Sequence, residues 1–315
     1  MNFSGLLHNF GPDTLSGLQK GSIVALFALG YTLVYGVLRL INFAHSEVFM
    51  VGTFAAIGVW GVLGYDNNTK TPGFLLATGM ILVGILAAMV ASGATAMIVE
   101  LVAYRPLRRR NAPPLAFLIT AIGASLTLSE GFGVFTHHDQ KGAPRLVAPT
   151  DLVVFGNTHI RILDLLLLGL ALVMMFALDL FVNRTRMGRG IRAVAQSPDS
   201  AALMGVNKNR VIALVFLLGG LMAGVAAVMY LMKIGNTRYD AGFTLGIESF
   251  TAAVLGGIGS LPGAMLGGLA IGLIETLWSA YFSVEYKDVA AFSILIIVLI
   301  FLPTGLLGRP EVEKV

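Results

Sequence analysis

The chain has 315 residues, of which 56% are hydrophobic and only 12% charged, with a mean hydropathy of +0.83 and a formal net charge of +4. Soluble domains carry roughly 25% charged residues, so a water-soluble fold is excluded and the sequence reads as an all-α polytopic membrane protein. With no cysteine there is no disulfide framework, thiolate metal site or cysteine nucleophile, and the surplus positive charge, gathered in short loops between apolar runs, reports topology rather than nucleic-acid binding.

Residues 1–19 lack the positive n-region of a cleavable signal peptide, so the first span is expected to stay in the mature protein. Apolar windows then fall near 21–38, 48–64, 74–103, 115–136, 162–182, 211–232, 249–258, 263–283 and 288–307. Most match the about 20 residues that a helix needs to cross a bilayer. The window at 249–258 is too short, and that at 74–103 is overlong and expected to tilt or extend out of the membrane. The expectation is eight to ten transmembrane helices with broken or re-entrant segments. No low-complexity segment or linker divides the chain, so residues 1–315 read as a single transmembrane domain.

Between the first two windows runs Ile41-Asn-Phe-Ala-His-Ser-Glu-Val-Phe-Met50. On a helix, Asn42, His45 and Ser46 would share one face. Polar residues without a turn sequence between membrane windows suggest a discontinuous helix lining a cavity; the alternative is a tight connection with a capping Asn and Ser. In the window at 115–136, Thr120, Gly123, Thr127 and Glu130 form one helical stripe. An acid within a span usually faces protein or water, so Glu130 reads either as a pathway wall or as a solvated residue at the outer interface.

Two loops fix the orientation. Residues 104–111 carry Arg105, Arg108, Arg109 and Arg110 and no acid, and residues 184–210 carry six basic residues against Asp199 alone. Two windows separate them, so both are expected in the cytoplasm. Nine windows then place the N-terminus outside and the C-terminus, with Arg309 and Lys314, inside. Within the second loop Ser197 suits an N-cap, Pro198 the first helical position and Asp199 the positive end of the dipole. A short helix through Ala201, Leu203 and Met204 is expected to stop at Gly205. It is either an ordinary structured loop or a docking element for a cytoplasmic partner.

The run at 252–268 is broken by Gly256, Gly257, Gly259 and Pro262, and Gly263/Gly267 and Gly268/Gly272 then form two small-xxx-small pairs with Glu275 on the face of the second. This reads as a helix hairpin packed at a helix–helix interface. It fails as a phosphate loop, because the chain contains no Gly-Lys dipeptide. The five histidines, His8, His45, His137, His138 and His159, offer neither a Ser–His pair on separate spans nor a helical H-x-x-x-H metal site.

The runs GSIVALFALGYTLVYGVLRLINFAHSEVFMVG, AYRPLR, RMGRGIRA, MGVNKNRVIAL, SFTAAVLGGIGSLPGAMLGG and EYKDVAAFSILIIVLIFLPTGLLGRPEVEKV closely resemble the permeases of the bacterial high-affinity branched-chain amino-acid ABC importers, and in particular the first of their two permease subunits. The resemblance implies a multi-pass permease in the bacterial inner membrane and not an enzyme. Its implied partners are a second permease, two cytoplasmic ATPases and a periplasmic or lipid-anchored substrate-binding protein, with an amino acid as substrate and no cofactor or metal of its own. It also assigns residues 183–210 as the ATPase-docking loop, with Ser197, Pro198, Asp199, Ala201, Leu203, Met204 and Gly205 as coupling residues. The substrate path is expected along Asn42, His45, Ser46, Thr120, Thr127, Glu130, Gly256, Gly257 and Gly259. Two departures stand out: Ser46 where the family usually has Gly, and Ile247-Glu248 where relatives usually have Met-Lys. Related permeases also serve urea and short amides. The rival class is a secondary transporter coupled to ions through Glu130 or Glu275; such a protein has no need of a capped cytoplasmic helix.

Overall fold

The computed structural model describes residues 3–155 and 158–308. Arg309 and Lys314 lie outside the described residues, as does the side chain of His8. Each apolar window becomes a helix. First come α1 (Phe3–Leu38), α2 (His45–Val62) and α3 (Phe74–Val99), which runs on through a π-helical turn (Glu100–Tyr104) into α4 (Arg105–Arg109). That continuation is the extension expected of the overlong window. α5 (Pro114–Thr136) follows, then three short strands, β1 (Lys141–Gly142), β2 (Asp151–Phe155) and β3 (Thr158–Arg161). The rest is α6 (Ile162–Arg184), α7 (Arg186–Gln196), α8 (Pro198–Leu203), α9 (Lys208–Ile234), β4 (Asn236–Thr237), α10 (Ala241–Gly256), α11 (Leu261–Tyr281) and α12 (Lys287–Phe301). Among the described residues seven helices are long and apolar enough to cross a membrane, with α10 a shorter apolar helix beside them. The fold is that of a polytopic helical membrane protein.

The chain divides into two compact units. The first comprises Met1–Thr32, Pro149–Met175 and Ile247–Val315. Within it α1 and α11 approach closely. A Cβ on Gly21 would lie 2.8 Å from the Leu269 Cα and 3.0 Å from the Gly268 carbonyl, and Gly268 and Gly272 meet Ala25 and Gly21 in the same way. Only small residues let two backbones come this near, and the dispersion gained replaces a hydrophobic drive that lipid does not supply. The predicted pairs Gly263/Gly267 and Gly268/Gly272 thus serve two different neighbours, α10 and α1 respectively.

α10 and α11 are joined by a break in which Gly257 (φ +101°) and Gly259 (φ +96°) take conformations that L side chains rarely adopt. Pro262 sits in the first turn of α11 and so starts that helix rather than stopping another, while the Ser260 hydroxyl accepts from the Gly263 N–H at 3.2 Å. The last carbonyls of α10 would be orphans. The segment after α12 satisfies them: the N–H groups of Leu306 and Leu307 donate to the Leu255 and Gly256 carbonyls, each at 2.9 Å.

The second unit comprises Leu33–Ala148 and Phe176–Gly246. Its core is α2, α3 and α9, with Phe49, Met50, Trp60, Phe216, Met229 and Leu231 fully buried. α3 and α9 cross at glycine: a Cβ on Gly220 would lie 2.7 Å from the Ser92 carbonyl. Ser92 itself donates to the Val48 carbonyl at 2.9 Å, and the Trp60 indole donates to the Met80 carbonyl at 2.8 Å, so these two buried donors are satisfied by neighbouring backbone.

Candidate functional site

The polar break after α1 is real but is not one helical face. α1 ends at Leu38, Arg39 takes a positive φ of 54°, and α2 begins only at His45. Asn42 therefore lies ahead of the helix and does not share a face with His45 and Ser46, as the spacing had suggested. The capping alternative fails as well, because Ala44 is the N-cap and makes no side-chain bond. Instead the Asn42 side-chain oxygen accepts from the Tyr104 hydroxyl at 3.0 Å, its carbonyl accepts from the His45 N–H at 3.1 Å, and the Ser46 hydroxyl donates to the Phe43 carbonyl at 2.5 Å. Asn42, His45, Ser46 and Glu47 are all buried. Irregular backbone survives within an apolar protein only where its polar groups are met inside the fold, and these bonds meet them.

The stripe on α5 points away from the chain's interior. Thr120 is half-buried, whereas Gly123, Thr127 and Glu130 are exposed, and nothing lies within 4 Å of the place a Gly123 side chain would take. The Glu130 side chain is 62% exposed and lies 3.5 Å from the His138 ring nitrogen. His138 in turn packs edge-on against Tyr239. Beyond β4, hydrogen bonding to Asp240 and then its charge hold the Arg238 guanidinium above its usual value.

The hairpin of α10 and α11 places a second polar group in the first unit. Glu275 and Glu248 are buried, and the Lys20 ammonium of α1 bonds to Glu275 and, at 3.1 Å, to Glu248. Lys287 lies 3.2 Å from Glu248, 2.9 Å from Asp288 and 3.9 Å from Glu275. The charge reversal noted at Glu248 thus meets two lysines. Among the described residues Glu248, Glu275 and Asp288 are near enough to share a cation, but the lysine ammonium groups already fill that role, and the histidine pair 137–138 belongs to no such group.

The basic loop at 184–210 holds two helices where one was expected. α7 precedes α8 and is capped by Thr185, whose hydroxyl accepts from the Gly188 N–H at 2.9 Å. Gly188 lets α7 fold back on the end of α6, where a Cβ would sit 2.6 Å from the Val182 carbonyl carbon. α8 follows the sequence expectation. The Ser197 hydroxyl accepts from the Ser200 N–H at 3.3 Å, Pro198 opens the helix, Asp199 lies 3.5 Å from the Lys208 ammonium, and Gly205 ends it at φ +82°. Ala201 faces inward, while Leu203 and Met204 are 89% and 86% exposed. The two basic loops share one side of this unit, since the Arg108 guanidinium reaches the Asn209 side chain at 3.4 Å. Arg108 and Arg105 also clasp the fully buried Glu100, at 2.6 and 2.8 Å.

Sequence reasoning missed Lys20, Glu47, Glu100 and Ser125. The Glu47 carboxylate accepts from Ser125 at 3.2 Å and lies 3.3 Å from the Ser46 hydroxyl. Acids at 47 and 100 inside or beside apolar windows were the available signal.

The described residues thus form a multi-pass helical protein with polar breaks inside it and a capped helix held out among basic loops. Residues 14–299 match the family described as branched-chain amino acid transport system / permease component, and the chain belongs to that family. It is 42% identical to the high-affinity branched-chain amino acid transport system permease protein BraD of Pseudomonas aeruginosa, over 98% of this chain and 99% of that one. It is also 42% identical to the permease protein LivH of Escherichia coli K12, over 97% and 98%. Among solved structures it resembles a chain of PsaBC from Streptococcus pneumoniae in complex with Fab, at 14% identity and a TM-score of 0.50 over 96% of this chain and 95% of that one, a likeness of fold alone. A permease component of a transport system implies partner subunits.

Proposed function

We propose that the chain is the transmembrane permease subunit of an ATP-driven importer for branched-chain or other neutral amino acids in the bacterial inner membrane. It forms the translocation path with a second permease, docks through α8 on a cytoplasmic ATPase, and receives substrate from a periplasmic or lipid-anchored binding protein. The observation that carries this reading is the near full-length 42% identity to two permeases named for branched-chain amino acids. The docking role is supported by Leu203 and Met204, two large apolar side chains left exposed on a capped helix beside the basic loops. Asn42, His45, Ser46, Thr120, Thr127, Glu130, Gly256, Gly257 and Gly259 are proposed to border the path. Ion-coupled transport is disfavoured: Glu275 is held by Lys20, and Glu130 stands exposed at the end of α5.

The test is reconstitution. Proteoliposomes holding the complex, with ATP on the ATPase side and the cognate binding protein on the other, should accumulate radiolabelled leucine, isoleucine or valine without an ion gradient. The purified chain alone should bind no nucleotide, because no loop combines phosphate-cradling glycines with a lysine. Uptake by the chain alone, driven by a pH gradient, would overturn the reading.

A further inference from the structure

Glu47 is a buried acid with an unfinished bonding pattern. It lies in the first turn of α2 and is 1% exposed. One carboxylate oxygen receives the Ser125 hydroxyl at 3.2 Å. The other is buried and has no hydrogen-bond partner among the described residues. Ser46 is also beside the first oxygen, at 3.3 Å, but its single proton is committed to the Phe43 carbonyl at 2.5 Å. Among the described residues no lysine, arginine or histidine forms an ion pair with Glu47, in contrast to Glu100 with its two arginines and Glu275 with its lysine. Gly242, at the start of α10, closes the same corner: its missing side chain makes room for the Ser46 carbonyl.

A buried carboxylate left with one hydroxyl donor is costly. Such a group persists where it serves something that arrives. The chemistry narrows what arrives. Among the described residues Glu47 belongs to no cluster of three or more acids and histidines close enough to hold a metal ion, and a divalent cation draws on several carboxylate ligands. A primary ammonium needs less. It carries one positive charge and three N–H donors, and the open Glu47 oxygen and the Ser125 and Ser46 hydroxyl oxygens beside the carboxylate are acceptors for them. Ser125, the residue of α5 that bonds the carboxylate, is itself only half-buried.

From this geometry we infer that Glu47, with Ser125 and Ser46, is the subsite at which the permease recognises the ammonium group of the amino acid it passes. The inference rests on the importer reading above and adds to it a charge-specific contact within the membrane subunit, beyond the selection made by the binding protein.

The test uses the full reconstituted complex and radiolabelled leucine. Glu47→Gln keeps the shape and removes the charge, and Glu47→Asp keeps the charge. Losing one charge-assisted hydrogen bond predicts a fall in uptake of about 10- to 100-fold for Glu47→Gln, with Glu47→Asp retaining the larger share of activity. Assembly is checked by co-purification of the ATPase. Should Glu47→Gln fail to assemble, Ser125 decides: Ser125→Lys tethers an ammonium beside the carboxylate and should block uptake, whereas Ser125→Met, of similar length but neutral, should block it much less. Equal uptake in Glu47→Gln and wild type, or equal loss in the two Ser125 variants, removes the subsite and leaves the importer reading standing. A wild-type complex that takes up no amino acid at all removes both.

Discussion

Replacing Lys20 by methionine, which keeps the length of the side chain and deletes its charge, should destabilise the first unit. Two lysines, Lys20 and Lys287, now face three carboxylates, Glu248, Glu275 and Asp288, for a net charge of −1; the variant leaves one lysine against three, or −2. Glu275 is 2% and Glu248 8% exposed, so neither can turn to water for compensation. Removing one partner of a buried pair costs about 3–5 kcal/mol. Lys20 is 25% exposed and Lys287 remains within reach of both acids, which lowers the expectation to about 2–3 kcal/mol. At ~2–4 °C per kcal/mol, the melting temperature in detergent should fall by about 5–10 °C. The decisive measurement is the double variant Lys20→Met/Glu248→Gln. It returns the cluster to −1 and should recover at least half of the loss. A double variant no more stable than Lys20→Met, or a single variant within ~1 °C of wild type, would refute the electrostatic account.

Two further outcomes are expected. Leu203→Asp puts a charge on the exposed tip of α8; the variant should insert and fold normally yet lose the ATPase on co-purification, since desolvating an unpaired charge costs several kcal/mol, and retained association would return α8 to an ordinary surface turn. Gly257→Ala forces a side chain into φ +101° with its Cβ 2.6 Å from the Gly308 Cα, so it should cost about 1–3 kcal/mol in thermal unfolding and Gly257→Leu should abolish uptake, whereas Gly123→Ala, which meets nothing within 4 Å, should be tolerated in both assays.

Hydropathy located the helices because a span must be apolar along its whole length, and no distant residue is needed to say so. It placed the start of the first window at 21, whereas α1 begins at Phe3. Lys20 is the reason: read locally, a lysine ends an apolar run, and the acids that neutralise it lie 228 and 255 positions further on. Glu47 was hidden for a related reason. It stands within INFAHSEVFM, where Asn42, His45 and Ser46 have the spacing of a helical face, but the chain bends at Arg39 and does not become helical until His45, so they do not form one. The cap of α8 was legible because Ser-Pro-Asp acts within a single turn. α7 was not, because its arginines read as loop charge, and what folds it back is the close approach of Gly188 to the Val182 carbonyl, a contact that no periodicity encodes. The α5 stripe was found as a pattern, but a pattern alone does not say whether a polar face looks into a chain or out of it.

The bonds from Leu306 and Leu307 to the end of α10 carry a consequence for biosynthesis. A helix end buried in apolar surroundings with bare carbonyls is unfavourable by about 1–3 kcal/mol for each unmet group. α10 emerges from the ribosome well before its caps do, and until residue 307 has followed it the Gly257 break has nothing to close upon. The end of α10 therefore gains these donors only once residues 306 and 307 have been made, although its unit contains the first residues of the chain. A chain that stops short of residue 306 would keep almost every span and leave the Leu255 and Gly256 carbonyls without these donors.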